Sequence, residues 1–457
     1  MKGLVIYAAN ARRALEIRGY LEKQKGYRFD IKSIKSITAI PNDATYIACD
    51  WGARIEFYKL VCNLGSKYGI AFYNDAFISD VDNTATLDDA LGVAIKNKNW
   101  EICKGINQFY LMGDIIRKRN VLKSNPSKLQ IETTDLCNAK CIMCSHAYDD
   151  GTGIDILRSG IIERLESILP FIKFIVLHGN GEPFLKKDIT DYLRKMSQYG
   201  VKFITNTNLS IITDELIPFL QTSFAELNVS CDGHTASIYE HIRKGLSFDR
   251  FVNNARRVRE ECPDLCMKMS VVVMRQNMKY MPEIVDFAAD FGFDEIVFNQ
   301  LCVDEKNNNL QDAAYLYPNE LKKYTNMAKN KGKARGILVT VSDMLDSKDI
   351  ESATMQNHNS IIQCNGICDW VVECPYIDLR GNVSVCCINQ KIYLGNLFAD
   401  SFNSIWNGAS YKKIRAEFNC GTLPSPCIGC DFLNQKRLRY LSAEEYGFQL
   451  IKKEKRI

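Results

Sequence analysis

Between residues 129 and 299 the chain repeats one unit: a short apolar run that reads as a strand, then a stretch with the periodicity of a helix. Strands are expected at 129–133, 174–177, 202–205, 226–230, 267–274 and 295–299, and helices at 157–169, 189–199, 213–220, 248–261 and 282–291. This alternation constrains the fold strongly. Strands joined through helices run parallel with right-handed crossovers, and such a sheet gathers functional residues at the C-terminal ends of its strands. Gly200 stands where the second helix should end in a left-handed residue. The fold class is α/β.

Other regions flank the repeat. Residues 1–120 form an N-terminal α/β accessory domain, with strands expected at 3–7, 29–37 and 45–48 and helices at 11–25, 87–96 and 100–117. The turn after its first strand reads Ala8-Ala9-Asn10-Ala11-Arg12, so the glycine-rich fingerprint of a nucleotide-binding domain is absent. A linker around Pro126 leads into the domain at 128–303. Residues 304–362, polar and carrying Asn307-Asn308-Asn309 and a helix opened by Pro318, are expected to bridge to a cysteine-rich domain at 363–432. Residues 433–457 form a basic tail. Net charge is only +4, which gives no electrostatic case for nucleic acid as the main partner.

Eighteen cysteines in 457 residues is the unusual number. Nothing resembles a signal peptide, and no apolar run approaches membrane-spanning length, so the expectation is a soluble cytoplasmic protein. There, cysteines in this number point to metal ligands or redox chemistry rather than a disulfide framework. Cys137, Cys141 and Cys144 form a Cys-x-x-x-Cys-x-x-Cys loop directly after the first strand of the repeat. A four-iron cluster held by protein alone takes four thiolates, so three close cysteines point to a cluster with one iron left open to a non-protein ligand. The alternatives are three ordinary thiols, or three of four ligands of a structural zinc site.

This loop, followed after the second strand by Gly179-Asn180-Gly181-Glu182-Pro183, resembles the radical S-adenosylmethionine (SAM) superfamily. The resemblance implies a partial (β/α)6 TIM-like barrel, a [4Fe-4S] cluster whose open iron is chelated by SAM, and a glycine turn that holds the SAM amino group. Cofactor contacts are then expected from Gly179, Gly181, Glu182 and Pro183, and from Met143, which stands where relatives often carry an aromatic residue beside the adenine. Asn206 at the end of the third strand and Ser230 at the end of the fourth are further expected contacts, and Arg243 is placed to meet a carboxylate. Asp232 reads as a turn residue before Gly233, and Asn277 as a weaker contact.

The C-terminal region resembles the SPASM and twitch domains that carry auxiliary iron-sulfur clusters. Cys368-Asp369-Trp370, Gly381 through Cys386-Cys387, Gly395-Asn396-Leu397, Ile405-Trp406-Asn407-Gly408 and Cys427-Ile428-Gly429-Cys430 follow that pattern in order. No cysteine follows Cys430, which departs from a full SPASM domain. One auxiliary [4Fe-4S] cluster on Cys368, Cys386, Cys427 and Cys430 is the economical assignment, with Cys374 as rival ligand and a zinc ribbon as the alternative.

By resemblance, the chain is an enzyme that reductively cleaves SAM to a 5'-deoxyadenosyl radical and abstracts hydrogen from its substrate. The expected substrate is a carbohydrate or other small metabolite, oxidised or epimerised. The alternatives are a peptide-modifying maturase and a non-catalytic iron-sulfur electron carrier or scaffold. An epimerase needs a hydrogen-atom donor, for which Cys231 and Cys302, near the ends of the fourth and sixth strands, are the candidates. A flavodoxin- or ferredoxin-like electron donor is the implied partner.

Overall fold

The computed structural model describes residues 2–7, 29–33, 44–49, 69–73, 76–80, 87–116, 118–148, 157–302, 310–342, 367–388, 392–428, 430 and 438–439. At the N-terminus, β1 (Lys2–Tyr7), β2 (Phe29–Ser33), β3 (Ala44–Cys49), β4 (Gly69–Tyr73) and β5 (Ala76–Asp80) form one sheet in the order β2-β1-β3-β5-β4. β1 runs parallel to β2 and β3, whereas β5 is antiparallel to β3 and β4. The strands β4 and β5 were not picked out from the sequence. The helix expected at 11–25 lies outside the described residues, while α1 (Leu87–Lys96) and α2 (Trp100–Ile116) stand where periodicity placed them.

The repeat folds as its spacing requires. β6 (Lys128–Ile131), β8 (Phe174–Val176), β9 (Lys202–Thr207), β10 (Phe224–Ser230), β12 (Cys266–Val273) and β13 (Glu295–Gln300) pair in chain order, every pair parallel. Between β6 and β8 comes the short β7 (Lys140–Cys141), and between β10 and β12 the equally short β11 (Arg243–Lys244), which pair with each other. Local chemistry explains the helices. The helix at Phe248–Glu261 opens on Ser247, whose side chain accepts the Arg250 N–H, and buries Phe251, Ala255 and Val258 on one face. The helix at Ile189–Ser197 gives way to Gly200 at φ +62°, as expected. The helix expected at 157–169 is shorter: it covers Ile161–Leu165 and yields to a single 3-10 turn at Leu169–Phe171, because Pro170 cannot supply the amide a continuing helix needs.

Two additions lengthen this sheet. Within the stretch expected to bridge, a helix at Pro318–Arg335 ends at left-handed Gly336 and leads to β14 (Leu338–Val341), a seventh parallel strand beside β13. At the other edge, β16 (Tyr376–Ile377) pairs parallel to β6 and continues antiparallel into β17 (Asn382–Ser384) and β18 (Tyr393–Asn396). The cysteine-rich hairpin is therefore an extension of the barrel sheet, in the order β14-β13-β12-β10-β9-β8-β6-β16-β17-β18.

Along the central strands one face is fully buried and the other half-buried. In β12, Met267, Met269, Val271 and Val273 are fully buried, whereas Cys266, Lys268, Ser270 and Val272 are half-buried on the opposite face, the lumen side of a barrel-like sheet. β10 divides likewise, with Glu226, Asn228 and Ser230 toward the lumen.

Candidate active site and metal centres

The cysteine loop is tied down at several points by its own protein. Its β7 segment pairs with β11 so that Cys141 faces Arg243, and Ile142 donates to the Ile242 carbonyl at 3.0 Å. Asn138, next to Cys137, donates to Ser210 Oγ at 2.8 Å and accepts from Asn208 Nδ2 at 2.9 Å. The Glu182 amide donates to the Leu136 carbonyl at 2.7 Å. Cys137 is exposed, Cys141 buried and Cys144 half-buried, and the thiols are close enough to disfavour one another's ionisation. Burial pushes the Cys141 thiol up to about 11, so metal coordination rather than the protein alone would deprotonate it.

The glycine turn shows why it needs glycine. A Cβ on Gly179 would lie 2.3 Å from Glu132 Oε1, and one on Gly181 would lie 2.5 Å from the Leu136 and Thr134 carbonyl oxygens. The turn is thus seated directly on the chain leaving β6. Glu182 is almost wholly enclosed: its carboxylate accepts Thr207 Oγ1 and the Asn208 amide, both at 2.7 Å, and the Phe184 amide at 3.4 Å. This side chain, expected as a cofactor contact, cross-links the ends of β8 and β9. Burial raises its pKa despite those donors. Pro183 follows as the first residue of a 3-10 turn.

The remaining expected contacts fall in different places. Ser230 is half-buried on the lumen face in register with Ser270, whose hydroxyl accepts Asn299 Nδ2 at 3.0 Å. Asn206 is exposed at the end of β9. Met143 packs half-buried between the main core and a small cluster of Ile242, Met274, Leu301 and Ala313. Arg243 has a carboxylate partner within the chain, Asp232 at 2.8 Å, and its Nη1 stands 3.9 Å from Cys141 Sγ. Asp232 is accordingly no mere turn residue: it is fully buried, and its Oδ1 accepts the Val272 amide at 2.7 Å. Asn277 braces the same corner, donating to the Asp232 and Val272 carbonyls and accepting the Met274 amide.

Cys231 needs a correction. Strand alternation turns it opposite to Ser230, it is wholly buried, its thiol donates to the Gly233 carbonyl at 3.2 Å, and burial raises its pKa to about 12. A thiol facing the core beneath the sheet cannot reach a substrate in the lumen, which withdraws it as a hydrogen-atom donor. Cys302, just beyond β13, is exposed.

One residue escaped the sequence reading. His178 follows β8 immediately before the glycine turn, with Nδ1 3.4 Å from the Asn206 amide nitrogen and Nε2 3.5 Å from Asn206 Nδ2. Burial lowers its pKa to about 4, so the ring is neutral near pH 7. Its place at a strand's C-terminal end was the available signal.

In the C-terminal region Cys368, on β15 (Ile367–Cys368), lies near Cys386 and Cys427, and the Cys430 amide donates to the Cys427 carbonyl at 3.2 Å. Cys374 is buried near Lys128, Glu373 and Cys387. Among the described residues no three His, Cys, Asp or Glu side chains converge tightly enough to hold one metal ion. The donors at both sites are all thiols, and the thiolates of a four-iron cluster each bind a different iron, so they need not share a point.

Comparison with known proteins agrees with this geometry. The Radical SAM superfamily model matches residues 131–288, and the SPASM iron-sulfur cluster-binding domain model matches residues 368–431. The chain carries a radical SAM domain followed by a SPASM domain. Among curated relatives, a probable GTP 3',8-cyclase of Methanocaldococcus jannaschii is 26% identical over 168 residues, covering 36% of this chain and 55% of that protein. The mycofactocin maturase MftC of Mycobacterium tuberculosis is 29% identical over 172 residues, covering 36% and 43%. The chain thus spans about half the length of the curated relatives it matches. Among solved structures, Streptococcus suis SuiB bound to its precursor peptide SuiA has a TM-score of 0.54 at 15% identity, covering 89% of this chain and 90% of that one. SuiB has also been solved with S-adenosylmethionine. The radical SAM domain implies a SAM-binding [4Fe-4S] cluster, and the SPASM domain auxiliary iron-sulfur chemistry.

The SPASM domain also grips the irregular segment that leads into β6. Trp406, on a short helix at Phe402–Trp406, donates from Nε1 to the Ser124 carbonyl at 3.0 Å. Asn407 exchanges two hydrogen bonds with the Leu122 backbone. Arg415 is completely buried, with its guanidinium 4.3 Å from the Trp406 ring centre and donating to the Trp406 and Val371 carbonyls.

Proposed function

We propose that this radical SAM enzyme acts on a peptide, in place of the carbohydrate or small metabolite expected from the sequence. The observation that carries the reading is the chemistry of the lumen. Toward the C-terminal ends of its strands the described wall offers amides and hydroxyls: Asn206, Asn228, Ser230, Ser270 and Asn299. Its charged base holds Lys268 bonded to Glu226 and 3.3 Å from Glu295, so these three charges sum to minus one and the cation is already engaged. Arg243 is committed to Asp232. A phosphorylated substrate such as a nucleoside triphosphate needs cations aimed at it, whereas neutral donors and acceptors suit a peptide backbone or an unphosphorylated sugar. Of these two, the likeness to SuiB in its peptide complex, extending over most of this chain, favours the peptide.

Cys137, Cys141 and Cys144 would hold the SAM-binding cluster, and Cys368, Cys386, Cys427 and Cys430 an auxiliary one. When bound, the first cluster and SAM supply the 5'-deoxyadenosyl radical, and the protein's part is to place the target carbon against it and exclude water. Ser230 and Asn206 orient ligands at the strand ends, neutral His178 accepts or donates one hydrogen bond there, and exposed Cys302 would serve as a hydrogen-atom donor. A flavodoxin- or ferredoxin-like protein supplies the electron.

Comparative mass spectrometry of peptide and metabolite pools from cells with and without the protein tests the substrate class. A peptide whose mass changes by hydrogen loss or rearrangement only when the protein is present supports the reading. A change confined to sugars or other small metabolites rejects it.

A further inference from the structure

The Asp232–Arg243 pair sits behind a cluster-ligating cysteine, and its function is not explained by holding the fold alone. Both partners are more than nine-tenths buried, with Arg243 7% exposed and Asp232 0%. The guanidinium reaches in two directions, Nη2 to Asp232 Oδ2 at 2.8 Å and Nη1 to Cys141 Sγ at 3.9 Å. Neither group is free to swing. Arg243 is fixed by its strand pairing opposite Cys141, and Asp232 by the Val272 amide at the mouth of β12. Gly245, at φ +92°, lets the chain turn directly beneath the loop, where a Cβ would come within 3.0 Å of the Asn138 carbonyl oxygen.

We propose that Arg243 tunes the reduction potential of the SAM-binding cluster through Cys141, with Asp232 setting how much of the guanidinium charge the cluster feels. This rests on the reading of the loop as that cluster's site. An N–H donor and a positive charge beside a ligating sulfur stabilise the extra electron of the reduced cluster, and hydrogen bonds to sulfur together with local charge are established levers on cluster potential. In a buried setting the effect is little screened. Asp232 opposes it, because its carboxylate is paired with the guanidinium and offsets its charge. Arg243 is on this account a positioning and tuning residue that touches the ligand sulfur, leaving the SAM carboxylate to other donors.

The test is a redox titration followed by electron paramagnetic resonance on the reconstituted full-length protein, with SAM binding measured in parallel. The Arg243→Gln/Asp232→Asn double variant replaces the pair by neutral groups of similar shape, which avoids leaving a lone buried charge. Its SAM-binding cluster should be about tenfold less reduced at a fixed potential, a downward midpoint shift of about 59 mV for one electron. Asp232→Asn alone should shift the same midpoint upward, since the guanidinium then acts unopposed. The auxiliary cluster's signal should not move in either variant, and SAM should still perturb the first signal. Shifts of opposite sign are not produced by loosening the fold. Unchanged midpoints together with lost SAM binding would overturn the inference and make Arg243 a SAM ligand. If the wild-type protein shows no cluster signal perturbed by SAM, the reading of the loop itself fails, and the inference with it.

Discussion

The two thiol sites are built in opposite ways. Cys137, Cys141 and Cys144 occupy eight consecutive residues, and what varies along the chain is the scaffold that holds them: contacts come from the ends of β8, β9 and the β11 ribbon. At the SPASM site the proposed ligands themselves are scattered, from Cys368 to Cys430, and come together only when the β16–β18 segment has docked on β6 and the Trp406–Arg415 block has closed on residues 118–124. The first site is local and braced from outside, and the second is assembled by the global fold. The first should therefore keep its shape without metal, and the second should depend on metal and on domain docking together.

Breaking each site separately gives the largest effects. Cys144→Ala should reduce 5'-deoxyadenosine formation from SAM to background while about four irons per chain stay at the auxiliary site, checked by chromatography and iron analysis. Cys368→Ala should do the reverse, retaining SAM cleavage and losing substrate product. If Cys144→Ala empties both sites, the two are not independent and the contrast is lost. Next in size, Trp406→Ala removes a fully buried ring and its bond to Ser124, and should cost about 3–5 kcal/mol in denaturant unfolding. A loss confined to the auxiliary cluster, with no change in global stability, would show that the SPASM domain docks independently of this grip.

A smaller effect concerns pH. Because burial lowers the His178 pKa from 6.5 to about 4, its contribution to stability is complete above pH 6.5 and is lost as pH falls toward 4. For a half-buried ring this amounts to roughly 2 kcal/mol, and His178→Gln should flatten the stability profile in that window. The smallest expected difference sharpens the comparison directly. In metal-free protein the Ile142 and Glu182 amides, bonded to Ile242 and Leu136, should remain protected from hydrogen exchange, while the Cys430 amide should not.

What was legible in the sequence follows the same division. The loop spacing and the helix Phe248–Glu261 could be read because each is set by residues a few positions apart: a run of cysteines, a Ser247 cap, apolar residues on one helical face. β14 and β16 were missed because a short strand at a sheet edge or between domains has too few residues to show its period, and only pairing with β13 or β6 defines it. Asp232 was undervalued for a related reason. Its partner Val272 is brought to it by an α/β crossover and Arg243 by the short helix Ala236–Ile242, which no local pattern announces, and the Arg243–Cys141 contact joins residues 102 positions apart. Cys231 was misplaced by one step of strand alternation, which moves a side chain from lumen to core.

The central claim is that two separate clusters occupy this chain and that only the one in the Cys137–Cys144 loop engages SAM. Iron content and 5'-deoxyadenosine, measured side by side in wild-type protein and a Cys137→Ala/Cys141→Ala/Cys144→Ala variant, test it most directly. The account predicts about eight irons and product in the first, and about four irons and no product in the second. Equal product from both, or tightly held zinc in place of iron, would contradict it.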